Sequence, residues 1–384
     1  MTQIPYGRQD IQQEDIESVI KVLQSDFLTQ GPEVPAFEAA IEKVTEAAFA
    51  VATNSATSAL HLACLALDLG PGDILWTSPI TFVASANCAR YCGASVDFVD
   101  IEVSSGNMCP IELEKKLIDA DRAACLPKII IPVHLAGNSS NMERIWELAK
   151  KYDIHVIEDA SHAIGARYSN APVGKCTYSD ITVFSFHPVK IITSGEGGVA
   201  VTQDKSLARR MKRLRSHGIT REPSQMTQTN SGPWYYEQLE LGWNYRMTDI
   251  QAALGRTQLT RLHGYIAQRN KLANRYDVLL CDTPVDLPKR NPAALSAFHL
   301  YIIRIEAKRR NAVFQELTSY EIGVNIHYIP VHLQPYYRRL GFKLGDFPKS
   351  EQYYSEALSI PLFPKMTEKM QDRVAGALSC ALKA

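Results

Sequence analysis

Between residues 49 and 202, short apolar runs alternate with stretches of helical length, and turn residues separate them. Phe49 to Thr53, Ile74 to Thr77, Val96 to Ile101, Ile129 to Leu135 and His155 to Glu158 read as strands. Between them, Ser55 to Leu69, Phe82 to Tyr91, Pro110 to Ile118 and Asn141 to Tyr152 read as helices. Asp180 to Ser185 and Val199 to Thr202 add two more strands. The alternation predicts an α/β fold with a mostly parallel sheet flanked by helices. Such sheets bind ligands at the carboxyl ends of their strands. Ser55, Asp159 and Ser185 all fall at such ends.

Outside this stretch the pattern changes. Residues 12–25 form an amphipathic pattern with Ile16, Val19, Ile20 and Leu23 on one face, closed by the turn-rich Leu28-Thr29-Gln30-Gly31-Pro32. Residues 220–240 are polar and carry glycine and proline, which predicts a long surface loop. One helix from Thr248 to about Tyr276 is expected to lead into a second, smaller α+β domain. There Phe298 to Ile305 reads as a strand, Asn311 to Tyr320 as a helix, and His327 to His332 as the start of an aromatic loop. The expected division is a large ligand-binding domain over 1–252 and a small domain over 253–384.

Composition narrows the function. The chain has 384 residues and a formal net charge of zero, which argues against nucleic acid or an anionic membrane as its main partner. The basic run Arg209 to Arg215 reads as a solvated helix face, with Leu207, Met211 and Leu214 turned inward. Eight cysteines lack metal-type spacing, so no metal site is expected and a reducing cytoplasm suits them. The N-terminal residues show no signal-peptide hydrophobic region, and no window approaches eighteen uncharged apolar residues.

The candidate chemistry centres on Lys190, which follows the strand ending at Ser185 and precedes Gly195-Glu196-Gly197-Gly198. About thirty residues upstream, Asp159 closes another apolar strand. A lysine and an aspartate so placed are what pyridoxal phosphate needs. The amine forms a Schiff base, and the carboxylate keeps the ring nitrogen protonated so that the ring can accept electrons. His162, in Asp-x-x-His, suits the phenolic edge of the ring. Asn54 to Ser58 opens an apolar helix, whose free N–H groups and dipole suit a phosphate. Ser185 adds a hydroxyl, Phe82 a ring for stacking, and Arg246 a guanidinium suited to anionic groups.

These residues stand in an ordered set that resembles the DegT/DnrJ/StrS-type sugar-nucleotide aminotransferases. The set includes Asn54-Ser55-Ala56-Thr57-Ser58, Pro79-Ile80-Thr81-Phe82, Glu158-Asp159-Ala160-Ser161-His162, Phe184-Ser185-Phe186-His187-Pro188-Val189-Lys190 and Gly195-Glu196-Gly197-Gly198. The resemblance covers nearly the whole chain and implies a pyridoxal-phosphate enzyme of fold type I. It implies Lys190 as the Schiff-base lysine, Asp159 on the pyridinium nitrogen and Phe82 as the stacking ring. It implies Ser55, Ala56 and Ser185 around the phosphate. Asn244 matches an asparagine that reaches the phosphate of the neighbouring subunit, which implies a homodimer with shared active sites. His162 stands where many members carry glutamine.

Within the family the resemblance points to the pseudaminic acid branch, through Gln24 to Gly31, Pro132 to Gly137 and Asn325 to His332. That branch implies L-glutamate as donor, leaving as 2-oxoglutarate. It implies C4 of a UDP-linked 4-keto-6-deoxy-N-acetyl-β-L-altrosamine as acceptor. The substrate contacts implied are Tyr6, Asp26, Phe27, Leu28, Thr29, His187, Arg246, His327 and Tyr328. Alternatives are another 4-keto or 3-keto sugar nucleotide, dTDP- or GDP-linked, and a pyridoxal-phosphate-binding regulator without turnover. A related sugar dehydratase carries histidine in place of the lysine, and Lys190 argues against it.

Overall fold

Strands buried on both faces run through the middle of the chain, as near-continuous apolar runs require. The computed structural model describes residues 3–228 and 232–383. Seven strands form the main sheet: β1 (Phe49–Thr53), β2 (Ile74–Thr77), β3 (Ser95–Phe98), β4 (Ile129–Ile131), β5 (His155–Asp159), β6 (Ile181–Ser185) and β7 (Gly198–Thr202). Their spatial order is β1-β7-β6-β5-β4-β2-β3. The pairs from β6 to β3 are parallel, whereas β7 runs antiparallel to both of its neighbours. A parallel β7 would need a crossover helix after β6. Residues 186–197 form none; they turn straight back, and Lys190 sits in that turn.

This topology gathers the site. The parallel strands β1, β5 and β6 end at one sheet edge with Thr53, Asp159 and Ser185. The reversed β7 begins there, Gly198 pairing with both Thr53 and Ser185. Helices α1 (Gln13–Leu23), α2 (Glu33–Thr45), α3 (Ala56–Ala66), α4 (Ala84–Tyr91), α5 (Pro110–Arg122), α6 (Met142–Lys151) and α7 (Lys205–Leu214) surround the sheet. Along β6 the side chains alternate between two cores. Ile181 and Val183 pack with Leu60, Ala63 and Ile157, while Phe184 packs with Phe37, Phe186 and Val199.

Several expectations need correction. Helix α1 forms, but its inward side is not the apolar stripe: Ile16, Ile20 and Leu23 are exposed. Buried Asp15 anchors the helix instead, accepting from Gln258 Nε2 at 2.7 Å and Arg261 Nη2 at 2.6 Å. The helix expected from Thr248 to Tyr276 is two, α8 (Asp249–Leu259) and α9 (Leu262–Leu279). Residues 219–220 and 237–238 pair as short strands within the segment expected to be a loop. Helix α2 had no counterpart in the expectations.

On α7 the charges lie outward and are paired, Arg210 with Asp68 at 2.5 Å and Arg213 with Glu240 at 2.6 Å. Ala208, Met211 and Leu214 face inward, with Leu207 half-buried. Toward the C-terminus, β8 (Tyr301–Arg304) pairs antiparallel with β9 (Ala357–Ile360). Tyr276, Tyr301, Leu317, Leu358 and Val374 form a separate core there. No helix among the described residues is long and apolar enough to cross a membrane.

Candidate active site

At the sheet edge opens a cavity of about 900 Å³. Ser55, Ala56, Phe82, Asp159, His162, Ser185, His187 and Lys190 line it, and Tyr6, His327 and Tyr328 close it from the other side. Burial brings the Lys190 ammonium down to about 8, against the opposing pull of Asp159. Near pH 7 about one such amine in ten is neutral, against roughly one in three thousand for an ordinary lysine. The residue is therefore both placed and poised to attack an aldehyde.

Asp159 is held at both oxygens. Ser85 Oγ donates to Oδ2 at 2.6 Å, and the Ser161 N–H donates to Oδ1 at 3.1 Å. The carboxylate is thus fixed in direction while still facing the cavity. His162 is also fixed. Its Nδ1 accepts from the Ala136 N–H at 3.2 Å, so its proton sits on Nε2, 3.1 Å from the Tyr328 hydroxyl. Burial, with the charges of Lys190 and His327, holds His162 well below its ordinary range, so it is neutral. Burial first and Lys190 second push His327 down to about 3. Tyr328 is pushed up by burial and by Asp159 and stays a phenol. The residue at position 162 thus presents an N–H with no charge, as a glutamine amide does.

The opposite end is built for an anion. Ser55 caps α3, its Oγ accepting from the Ser58 N–H at 3.1 Å, and the first turn of the helix opens into the cavity. Gly198 lies against this turn, where a Cβ would strike the backbone of Ser55 and Ala56. Phe82, 60% exposed, offers its ring to the cavity between this end and Tyr328. An anion-binding cradle, a lysine and a carboxylate facing one aromatic wall fit pyridoxal phosphate.

Six expected residues lie outside the cavity of the single chain. Asp26, Phe27, Leu28 and Thr29 are exposed after α1. Asn244 and Arg246 lie on the strand-like segment that pairs Ser216 with Asn244 and Thr53 with Arg246. The two segments meet, Thr29 bridging Thr248 and the Asp249 N–H donating to the Leu28 carbonyl at 3.0 Å. Sequence reasoning missed Ser85, Gln251, His299 and Asn325. Of these, Ser85 carries a signal: it stands one helical turn beyond Thr81, to which its hydroxyl bonds at 2.7 Å. His299 is buried and packs against His162 with its ring tilted by 45°, the centroids 4.4 Å apart.

A family model described as the DegT/DnrJ/EryC1/StrS aminotransferase family matches residues 9–379. The chain belongs to this aminotransferase family. A Campylobacter jejuni relative, named UDP-4-amino-4,6-dideoxy-N-acetyl-beta-L-altrosamine transaminase, is 38% identical over 95% of this chain and 94% of its own. Among solved structures, Helicobacter pylori PseC, an aminotransferase of pseudaminic acid biosynthesis, superimposes with a TM-score of 0.91. It is 30% identical, and all of both chains is covered. Spr1654 of Streptococcus pneumoniae, assigned as a sugar aminotransferase and solved in its PLP form, gives a TM-score of 0.90 at 29% identity, covering 100% of this chain and 99% of its own. Membership makes pyridoxal phosphate the cofactor of this aminotransferase and fold type I its architecture.

Proposed function

We propose that the chain transfers the amino group of L-glutamate to C4 of a UDP-linked 4-keto-6-deoxy-N-acetylhexosamine, of the β-L-altro configuration. It does so as a cytoplasmic homodimer built from a large domain over 1–252 and a small one over 253–384. The observation that carries the catalytic part is the pairing of a buried lysine, its pKa lowered to about 8, with a doubly anchored aspartate on one cavity wall. The likeness to the Campylobacter enzyme, by its name a transaminase of this sugar, supports the acceptor.

When bound, the cofactor carries the amino group between donor and acceptor and takes up the electrons of the broken C–H bond. Lys190 Nζ holds the cofactor, then removes the proton from the donor carbon and delivers one to C4 of the sugar. Asp159 holds the ring nitrogen protonated. His162 donates Nε2–H toward the phenolic oxygen. Ser55, Ser185 and the first turn of α3 hold the phosphate. Tyr6 and Tyr328 wall off the sugar methyl, with His187 and His327 beside them. Phe27 with Asp26, Leu28, Thr29 and Asn244, exposed on one chain, and the half-buried Arg246 complete the cavity of the other, Asn244 at the phosphate and Arg246 at the diphosphate.

Incubation with glutamate and a panel of 4-keto sugar nucleotides, followed by mass spectrometry, tests this. The expected product is the 4-amino UDP-sugar. Comparable kcat/KM for dTDP-4-keto-6-deoxyglucose would overturn the acceptor and leave the aminotransferase intact, because a polar site rejects a substrate lacking a hydrogen-bonding group.

A further inference from the structure

Behind the cavity lies a second carboxylate with no part in the chemistry above. Glu158 precedes Asp159 on β5 and points to the other face of the sheet, where it is 5% exposed. It accepts from three side chains: His134 Nε2 at 2.7 Å, Ser179 Oγ at 2.6 Å and Thr182 Oγ1 at 3.0 Å. Burial by itself would raise its pKa. These donors outweigh burial and hold the carboxyl below its ordinary value. A buried charge so fully satisfied is costly to disturb and fixes whatever it is tied to.

It is tied to the segment 132–137. His134 Nδ1 accepts from the Ser140 N–H at 3.2 Å, which leaves the ring proton on Nε2, facing Glu158. The His134 N–H donates to the Asp159 carbonyl at 3.1 Å, and the Asp159 N–H donates to the Pro132 carbonyl at 3.0 Å. Two residues on, the Ala136 N–H sets the tautomer of His162. One strap thus grips the backbone of Asp159 and the side chain of His162, and His134 is its buried peg.

We propose that the His134–Glu158 pair is a positioning device that sets Asp159 and His162 for the cofactor ring. The proposal rests on Asp159 being the ring-nitrogen partner, and the test separates the two. Apo-protein is titrated with pyridoxal phosphate by fluorescence, with its thermal midpoint measured alongside. Four proteins are compared: the parent, His134→Gln, Asp159→Asn and the double variant. His134→Gln is expected to weaken cofactor affinity about tenfold in the parent and less than threefold in the Asp159→Asn background, because the two act through one contact. Equal losses in both backgrounds would overturn the positioning role and leave a general structural one. An Asp159→Asn protein with parental affinity would overturn the ring-nitrogen assignment itself. If His134→Gln does not accumulate folded, Ser179→Ala removes one of the three donors. The same cycle is then run with an expected loss of about threefold in the parent and none in the Asp159→Asn background.

Discussion

The cavity floor and the exposed segment around α1 differ in how completely a single chain finishes them. On the floor, Asp159 and His162 are each held by named donors or acceptors, and Lys190 sits where burial has already weakened its hold on a proton. On the exposed segment, Ile16, Ile20, Leu23, Phe27 and Leu28 form an apolar row in which the least exposed is 43% open. Asn244 and Arg246 do not line the cavity that holds Lys190. Contiguous exposed apolar surface of this kind marks an interaction site. The difference separates a cofactor end that one chain finishes from those substrate residues that, in the proposed dimer, a second chain would supply.

The floor is the place for the largest effect. Lys190→Ala removes both the anchor and the proton carrier, and transamination is expected to fall by about 10³-fold or more. Borohydride reduction of the parent enzyme, followed by peptide mapping, should find the pyridoxyl label on Lys190. A label on another lysine, or substantial turnover by the alanine variant, would break the contrast at its strong end.

The exposed segment is tested by mixing. A Lys190→Ala chain and an Asn244→Ala chain carry different defects. In a mixed dimer both defects fall in one site and the other site is whole. After random exchange of equal amounts, about a quarter of the sites should be intact. Activity should recover to about that fraction of the parent's, well above either variant alone. Absence of recovery despite confirmed exchange would place Asn244 in its own chain's site. Leu23→Asp puts a charge into the apolar row and should shift the protein toward monomer in sedimentation, with activity falling on dilution. An unchanged sedimentation profile would mean that the row is not the dimer contact.

The same two regions divide what could be read from sequence. The strands and the Lys190 turn were legible because a fully buried run and a glycine-rich turn leave local patterns. The face of α1 was not. Its apolar stripe obeys the helical period, but Asp15 finds Gln258 and Arg261 more than 240 positions away, and no local pattern carries that pairing. The reversed β7 was hidden for another reason, since a buried strand has the same composition in either direction. Glu158 and His134 were visible as residues, beside Asp159 and within Pro132 to Gly137. Their pairing exists only once β4 and β5 lie side by side.

A finer contrast lies in pH. Apo-protein should capture pyridoxal phosphate with a rate that rises about tenfold from pH 6 to 7 and levels off above about 8, following the free amine of Lys190. Asp159 pulls that pKa upward, so Asp159→Asn should move the midpoint to lower pH. Stopped-flow absorbance measures both curves. A parental midpoint near 10 would mean that Lys190 is not desolvated.

The smallest expected effect tests whether the floor depends on a donor or on a charge. His162 is neutral with its proton on Nε2, because burial, Lys190 and His327 disfavour the imidazolium and Ala136 occupies Nδ1. Glutamine supplies an uncharged N–H donor and a carbonyl able to accept from Ala136. His162→Gln should therefore keep kcat/KM within about threefold. His162→Leu loses the donor and strands the Ala136 N–H, which costs about 1–3 kcal/mol when such a group is buried. Since a folded-state pKa below the ordinary value moves protonation to lower pH, His162 should contribute no acid limb to the rate between pH 6 and 8. An acid limb near pH 6.5 in the parent that vanishes in His162→Gln would show that the imidazolium forms in the working range. The floor would then rely on a charge where its hydrogen bonds provide only a donor.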